Sequence, residues 1–341
     1  MAENHEKIAV LGAGSWGTAL AKLLSDKGLE VKLWAHNPEH LDAIARDGEN
    51  NRYLAGFPLG LNLQTVPELD EAVAGAGVIV MAVPSHVTRA LFRQVAPLMK
   101  EDAIVISASK GIENDTLLTM TQVFLEELRQ AGRYGRPAVL SGPSFAKEVA
   151  AGIPTAVTVA AQDKETARMI QTTFATDFFR VYTSSDRIGL ELGGALKNPI
   201  AIAAGISDGL GYGTNTRAAL ITRGLAEITR LGVKMGASPL TFSGLGGMGD
   251  LVLTCTGELS RNRTVGFNLG QGRSLAEILA KMEMVAEGVK TTKSAWNLAR
   301  LQGVEMPILE QMYQVLYDNK SCAVAVRSLL SRSPKGEDEF S

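Results

Sequence analysis

Gly12, Gly14 and Gly17 stand in Ile8-Ala-Val-Leu-Gly-Ala-Gly-Ser-Trp-Gly-Thr-Ala-Leu, a G-x-G-x-x-G spacing that closes an apolar run and opens a stretch of helical period. The spacing alone is weak in a chain with 35 glycines, but a strand before it and a helix after it are the context a pyrophosphate requires. In that context Gly12 makes the tight turn, Gly14 lets the backbone approach the anion and Gly17 lets the helix pack on the sheet. The helix N-terminus then offers unpaired N–H groups to the phosphates. The plain alternative is a glycine-rich structural turn.

The next apolar run ends Leu33-Trp34-Ala35-His36-Asn37, without the carboxylate that would hold ribose hydroxyls and repel a 2′-phosphate. His36 and Asn37 can donate hydrogen bonds to such a phosphate. The pattern therefore favours NADP and leaves NAD open, with a solvated surface histidine as the alternative for His36. FAD is disfavoured, because no second flavin-sized signature follows. Further loops lie where strands should end: Val83-Pro84-Ser85, Ser107-Ala-Ser-Lys110-Gly111, and Leu140-Ser-Gly142-Pro-Ser144-Phe-Ala146. In open α/β sheets ligands bind at such carboxyl ends. Ser144 could instead cap the next helix.

Reduction of a ketone needs a proton donor for the developing alkoxide. The four histidines, His5, His36, His40 and His86, all lie in the first third of the chain, and no metal-ligand cluster is spaced for zinc. The choice narrows to lysine, tyrosine or a carboxylic acid. Lys197 lies in Leu192-Gly-Gly-Ala-Leu-Lys197-Asn-Pro199, an otherwise apolar segment rich in small residues. Burial there would lower its pKa toward working pH and suit it to move a proton. A snorkelling surface lysine is the competing reading. Asp250 ends the glycine-rich run Gly244–Gly249 and could pair with such a lysine, bind a substrate hydroxyl or cap a helix. Ser260-Arg261-Asn262-Arg263 offers a cap and donors suited to a phosphate at a helix start; a solvated basic turn is its alternative.

These clusters need a frame. The first half alternates short apolar runs with amphipathic stretches, the rhythm of a doubly wound α/β sheet. Strands are predicted at Lys7–Leu11, Glu30–Trp34, Val78–Val83, Ile104–Ser107, Ala138–Leu140, Thr155–Ala160 and Phe178–Tyr182. Helices are predicted at Ser15–Lys27, Pro38–Asp47, 85–98, 116–131 and 163–175. After about Ser185 the period becomes helical, over 186–207, 215–232, 274–282, 289–302, 307–318 and 321–331. The expected fold is α/β, a Rossmann-type dinucleotide-binding domain over 1–185 followed by an all-helical domain over 186–332. The tail 333–341, SPKGEDEFS, reads as disordered.

A formal charge of −2 without a long basic run argues against nucleic acid as a partner. The two cysteines, Cys255 and Cys322, cannot build a disulfide framework and read as reduced thiols. No apolar run reaches the length of a membrane span, and no signal peptide is visible, so the expected location is cytoplasmic.

Taken together, GAGSWGTALA, SASKG, SGPSFAKE, LGGALKN, ITRGLAEITR, GGMGDLVLTCTGELSRNR, VAEG with Thr291-Thr292, and VEMPILEQMYQVLY closely resemble the bacterial NAD(P)-dependent glycerol-3-phosphate dehydrogenases. The resemblance covers the chain except its two tails. It implies reversible reduction of dihydroxyacetone phosphate to sn-glycerol 3-phosphate, a precursor for phospholipid synthesis. By the same resemblance Ser15 and Trp16 line the cofactor, His36 lies near its adenosine end, and Ala146, Val285 and Glu287 also border it. Lys110 would contact cofactor and substrate, and Gly142 and Ser144 the substrate. Lys197 would be the proton acceptor in the oxidative direction, with Asp250 positioning it. Ser260, Arg261 and Asn262 would hold the substrate phosphate, Arg261 also reaching the cofactor. Trp16, Ser144 and Gly246–Gly249 depart mildly from the family pattern without removing a chemical group.

Two alternatives stay open at this point: another two-domain dehydrogenase of 6-phosphogluconate or β-hydroxyacid type, and a non-enzymatic NAD(P) redox sensor. A homodimer is the expected assembly.

Overall fold

A computed structural model describes residues 7–282, 286–334 and 336. The chain divides into two compact units, one of residues 1–109 and 120–187, the other of 110–119 and 188–341. The ten residues that follow Ser109, which the sequence places in the first domain, thus cluster with the helical unit. Val285 and most of the tail, 335 and 337–341, lie outside the described residues.

The first unit is built on an eight-stranded sheet in the order β3-β2-β1-β4-β5-β6-β7-β8. Its strands are β1 (Ile8–Leu11), β2 (Val31–Trp34), β3 (Leu63–Thr65), β4 (Val78–Met81), β5 (Ile104–Ser107), β6 (Arg136–Ser141), β7 (Thr155–Ala161) and β8 (Phe179–Ser184). All neighbours pair in parallel except β6 and β7. The central strands Ile-Ala-Val-Leu, Val-Ile-Val-Met and Ile-Val-Ile-Ser are buried at every position. Runs apolar on both faces are what a sheet covered on both sides demands. Leu20, Leu24 and Leu41 pack against one face, and Phe92, Val95 and Phe124 against the other.

Connecting helices are α1 (Ser15–Asp26), α2 (Pro38–Asp47), α3 (Leu69–Val73), α4 (Ser85–Val95), α5 (Met120–Gln130), α6 (Ala146–Ala150) and α7 (Lys164–Phe174). Helix α5 starts four residues later than the periodicity suggests, after Leu117 takes a left-handed φ of 60°. β3 and α3, of three and five residues, are too short to show a period and were not anticipated, and α6 was expected only as a helix start after Ser144. The strand order reverses between β2-β1 and β4-β5, which opens a crevice outside the carboxyl ends of β1 and β4.

The second unit is helical: α8 (Arg187–Gly209), α9 (Thr214–Lys234), α10 (Pro239–Phe242), a π-helical turn (Leu245–Gly249), α11 (Asp250–Thr256), α12 (Arg261–Gly270), α13 (Leu275–Ala280), α14 (Glu287–Gln302), α15 (Pro307–Tyr317) and α16 (Cys322–Leu330). The long helices follow the predicted spans closely, whereas the succession of short turns over 239–256 was not predicted. Its glycines conceal the helical period. Helix α8 is buried from Gly189 to Ser207 and apolar apart from Glu191, Lys197, Asn198 and Ser207, the signature of a central core helix. Pro199 sits inside it and removes one backbone donor without ending the helix. No helix among the described residues is long and apolar enough to cross a membrane.

Candidate active site

In the first unit β1 runs directly into the glycine turn. Gly12 has φ +119°, and a Cβ on it would stand 2.5 Å from the Ala82 carbonyl oxygen after β4. A Cβ on Gly17 would stand 1.8 Å from the Gly12 oxygen, so helix α1 can approach the turn only without one. Around Gly14 nothing lies within 4 Å of a Cβ position. Two glycines are therefore required by the fold, and the third leaves space beside the first turn of α1. That division fits a dinucleotide pyrophosphate held by backbone donors.

The turn is clamped from outside by a segment the sequence did not mark. Asn50, fully buried, donates through Nδ2 to the Ala13 carbonyl at 2.9 Å and to Thr18 Oγ1 at 2.8 Å. His40 Nε2 lies 3.2 Å from the same carbonyl, and its ring meets Tyr53 edge-on with centroids 5.1 Å apart. Ser15 Oγ donates to the Tyr53 carbonyl at 2.7 Å. Trp16, half-buried, keeps its indole Nε1 buried without a hydrogen-bond partner, a donor awaiting an acceptor. His36 is exposed after β2, and Asn37 caps α2 by accepting from the His40 N–H at 3.1 Å. Asn37 thus keeps only its amide hydrogens for a ligand.

At the end of β6, Gly142 has φ +145°, and a Cβ there would lie 2.9 Å from Val157 Cα. Ser144 Oγ donates to the Gly142 carbonyl at 3.0 Å, and Phe145 is the N-cap of α6, so Ser144 is not a helix cap. Ala146 opens that helix. Ser141 Oγ, beside this turn, is buried and unpartnered, a hydroxyl that sequence reading passed over.

In the second unit three charged side chains meet. Asp250 Oδ1 accepts from Lys197 Nζ at 2.8 Å and Oδ2 from Lys110 Nζ at 2.6 Å. The Asp250 side chain is 1% exposed and that of Lys197 7%, so the snorkelling alternative for Lys197 does not hold. Nor is Asp250 a helix cap: Gly249 holds that position, and the carboxylate is given over to the two lysines. Gly193 makes room for this arrangement on α8, since a Cβ there would stand 2.4 Å from the Gly246 carbonyl of the π-helical turn.

Lys197 also donates to Thr254 Oγ1 at 2.5 Å, and that hydroxyl donates in turn to the Asp250 carbonyl at 2.6 Å. Thr254 lies four residues after Asp250 on α11, and one turn of helix delivers both acceptors to one ammonium. Its hydroxyl was missed because a threonine in an apolar helix carries no pattern of its own. Burial lowers the pKa of Lys197 to about 8, against the pull of Asp250 and with the help of the neighbouring Lys110 charge. Two ammonium groups around one carboxylate leave the cluster with an excess positive charge, the sign that stabilises a developing oxyanion. A lysine titrating near neutrality in that field can give or take a proton.

The Ser260–Asn262 motif opens α12. Ser260 is the N-cap, its Oγ accepting from the Arg263 N–H at 3.3 Å. Asn262 Nδ2 donates to Asn198 Oδ1 at 2.9 Å, and its Oδ1 accepts from the Gly288 N–H at 3.0 Å. Ser260 and Asn262 therefore fix the helix start from inside, while Arg261 stands exposed at its first position. Packing around the Arg261 guanidinium lowers its pKa, and Glu287, the first residue of α14, partly offsets this by charge attraction.

The structure thus gathers Lys110, Lys197 and Asp250 within the helical unit and Gly12–Gly17 at the crevice of the sheet. The family model for the N-terminus of NAD-dependent glycerol-3-phosphate dehydrogenase matches residues 7–167, and that for its C-terminus matches 186–327. A glycerol-3-phosphate dehydrogenase [NAD(P)+] of Citrifermentans bemidjiense is 58% identical over 332 residues, 97% of this chain and 99% of the relative. One of Geobacter metallireducens is 59% identical with the same coverage. The crystal structure of glycerol-3-phosphate dehydrogenase from Coxiella burnetii is 40% identical, covers 96% of this chain and 99% of its own, and superposes with a TM-score of 0.92. These matches decide against the 6-phosphogluconate or β-hydroxyacid type and the redox sensor: the chain belongs to the NAD-dependent glycerol-3-phosphate dehydrogenase family.

Proposed function

We propose that this protein reduces dihydroxyacetone phosphate reversibly to sn-glycerol 3-phosphate, with Lys197 transferring the proton. When bound, NAD(P)H supplies the hydride for the substrate's C2. Gly12–Gly17, the first turn of α1 and the Trp16 indole would hold the dinucleotide, with His36 at its adenosine end and Ala146 beside it; the family resemblance alone adds Arg261, Val285 and Glu287. Lys197 gives its proton to the oxygen that becomes the C2 hydroxyl, and takes one back in the oxidative direction. Asp250 and Thr254 hold Lys197 by two of its three N–H groups and leave the third for the substrate oxygen. Lys110 adds positive charge at the same oxygen. The Arg261 guanidinium and the N-terminal amides of α12 receive the phosphate, with Ser260 and Asn262 keeping that turn in place.

The observation that carries this reading is the buried Lys197–Asp250–Lys110 cluster. Burying Lys197 and Asp250, with Lys110 partly buried beside them, is costly, and such perturbed charges cluster at functional sites. Loss of NADPH absorbance on adding dihydroxyacetone phosphate is the expected result. Oxidation with other ketones but none with dihydroxyacetone phosphate would refute the substrate assignment. The same proposal takes the α/β unit as the dinucleotide-binding domain and the helical unit as the substrate domain. It includes a preference for NADP, supported by His36 in place of an acidic residue, a cytoplasmic homodimer, and a product that feeds phospholipid synthesis.

A further inference from the structure

Helices α8 and α12 run side by side in backbone contact. A Cβ on Gly205 would lie 2.0 Å from the Arg263 carbonyl oxygen, and one on Gly266 would lie 1.9 Å from that of Ile202. Gly209 meets the Phe267 carbonyl in the same way at 2.3 Å, and Gly270 that of Ile206 at 2.6 Å. The partners Asn198 and Asn262, Ile202 and Gly266, Ile206 and Gly270 advance four residues at a time along both helices. From Ile202 to Gly270 the spacing is therefore set by backbone against backbone, and because only Gly266 and Gly270 can face α8 the roll of the helix body is fixed as well. The first turn of α12, ahead of those glycines, is held instead by side chains, among them the Asn262–Asn198 bond.

Asp208, near the end of α8, anchors that first turn through Arg263. Its Oδ2 accepts from Arg263 Nε at 2.9 Å and Nη2 at 2.8 Å, a two-pronged bond to the residue one beyond Asn262. Its Oδ1 accepts from Arg217 Nε at 3.0 Å and Nη2 at 2.6 Å, which ties the same carboxylate to the start of α9. The Asp208 side chain is only 6% exposed. A buried carboxylate with two forked guanidinium bonds is rigid in direction as well as position. A loosened first turn would let Arg261 and the first-turn amides move away from any bound anion, while Lys197, on α8, would stay in place.

We propose that Asp208, acting through Arg263 and braced by Arg217, is a positioning residue for the substrate's phosphate. This rests on the reading of α12 as the phosphate site. Asp208→Asn keeps the size and removes the charge that aligns both guanidinium groups. The KM for dihydroxyacetone phosphate should rise about tenfold, and competitive inhibition by inorganic phosphate should weaken by a similar factor, as expected for one lost charge-assisted pair. The kcat at saturation should change by less than about threefold, because Lys197 is untouched. A purely structural role would instead lower the active fraction, and hence kcat, with KM and phosphate inhibition unmoved; that outcome overturns the proposal. If the variant does not fold, Arg263→Lys, which keeps the charge but loses the fork, should show the same split, and its absence there counts equally against it. Arg261→Ala separates the two levels. If it weakens phosphate inhibition while Asp208→Asn does not, the strut is wrong; if neither does, the phosphate reading of α12 is wrong.

Discussion

At the crevice of the sheet, the α/β unit handles a ligand's charge with backbone. Gly12 and Gly17 exclude side chains where a Cβ would collide, and the helix that follows presents its amides. The helical unit does the opposite: it buries Lys197, Asp250 and much of Lys110, and balances them against one another and Thr254. A backbone site is preorganised by close packing, so it should tolerate exchange of neighbouring side chains but no added carbon. A buried-charge site is preorganised by mutual pairing, so it should tolerate small changes of shape but no loss of a charge or acceptor. The first kind suits a fixed polyanion, and the second a reaction in which a proton moves.

The contrast can be broken most severely at Lys197. Lys197→Ala should lower kcat by about two to four orders of magnitude, the usual weight of a positioned acid–base group. NADPH affinity, measured by fluorescence titration, should stay within about twofold, since the dinucleotide turn is untouched. Gly17→Ala should do the reverse. Overpacking against the Gly12 carbonyl costs about 1–3 kcal/mol, so NADPH affinity should fall about tenfold to a hundredfold while kcat at saturating cofactor recovers. Equal effects of both substitutions on binding and turnover would erase the distinction between the two sites.

Thr254→Val sharpens the comparison with a smaller effect. It keeps the shape and removes one acceptor from a buried ammonium, worth about 1–2 kcal/mol, and should cost about tenfold in kcat. Because the lost bond favoured the charged form, the pKa governing turnover should move downward in the variant. An unchanged pH profile would mean that the hydroxyl serves packing alone.

The two regions also differ in how far they could be read in advance. G-x-G-x-x-G between an apolar run and a helical period is a local pattern, so the strand, the turn and α1 were legible within a few residues. Lys197 was legible only as an anomaly, a charge among Gly, Ala and Leu, and its burial could not be told from snorkelling. Its partners lie about 50–90 residues away on other elements, at Asp250 and Lys110, a separation that no periodicity encodes. Ser260 is the cap the motif suggested, whereas Asn262, read as a phosphate donor, spends its amide on Asn198 and Gly288. A polar side chain in a motif does not reveal whether it faces a ligand or the fold. Asn50 and Thr254 were silent, because their work depends on which carbonyl or ammonium the fold brings to them.

Whether Lys197 moves the proton is read from the pH dependence of turnover in both directions. With a pKa of about 8, the ammonium needed for ketone reduction is present below that pH and lost above it, while the free amine needed for alcohol oxidation appears as pH rises. The kcat for reduction should fall above about pH 8, and that for oxidation should rise through the same region. Both inflections should be missing from the residual activity of Lys197→Ala. An inflection that survives unchanged in that variant would assign the proton to another group and exclude Lys197 as its carrier.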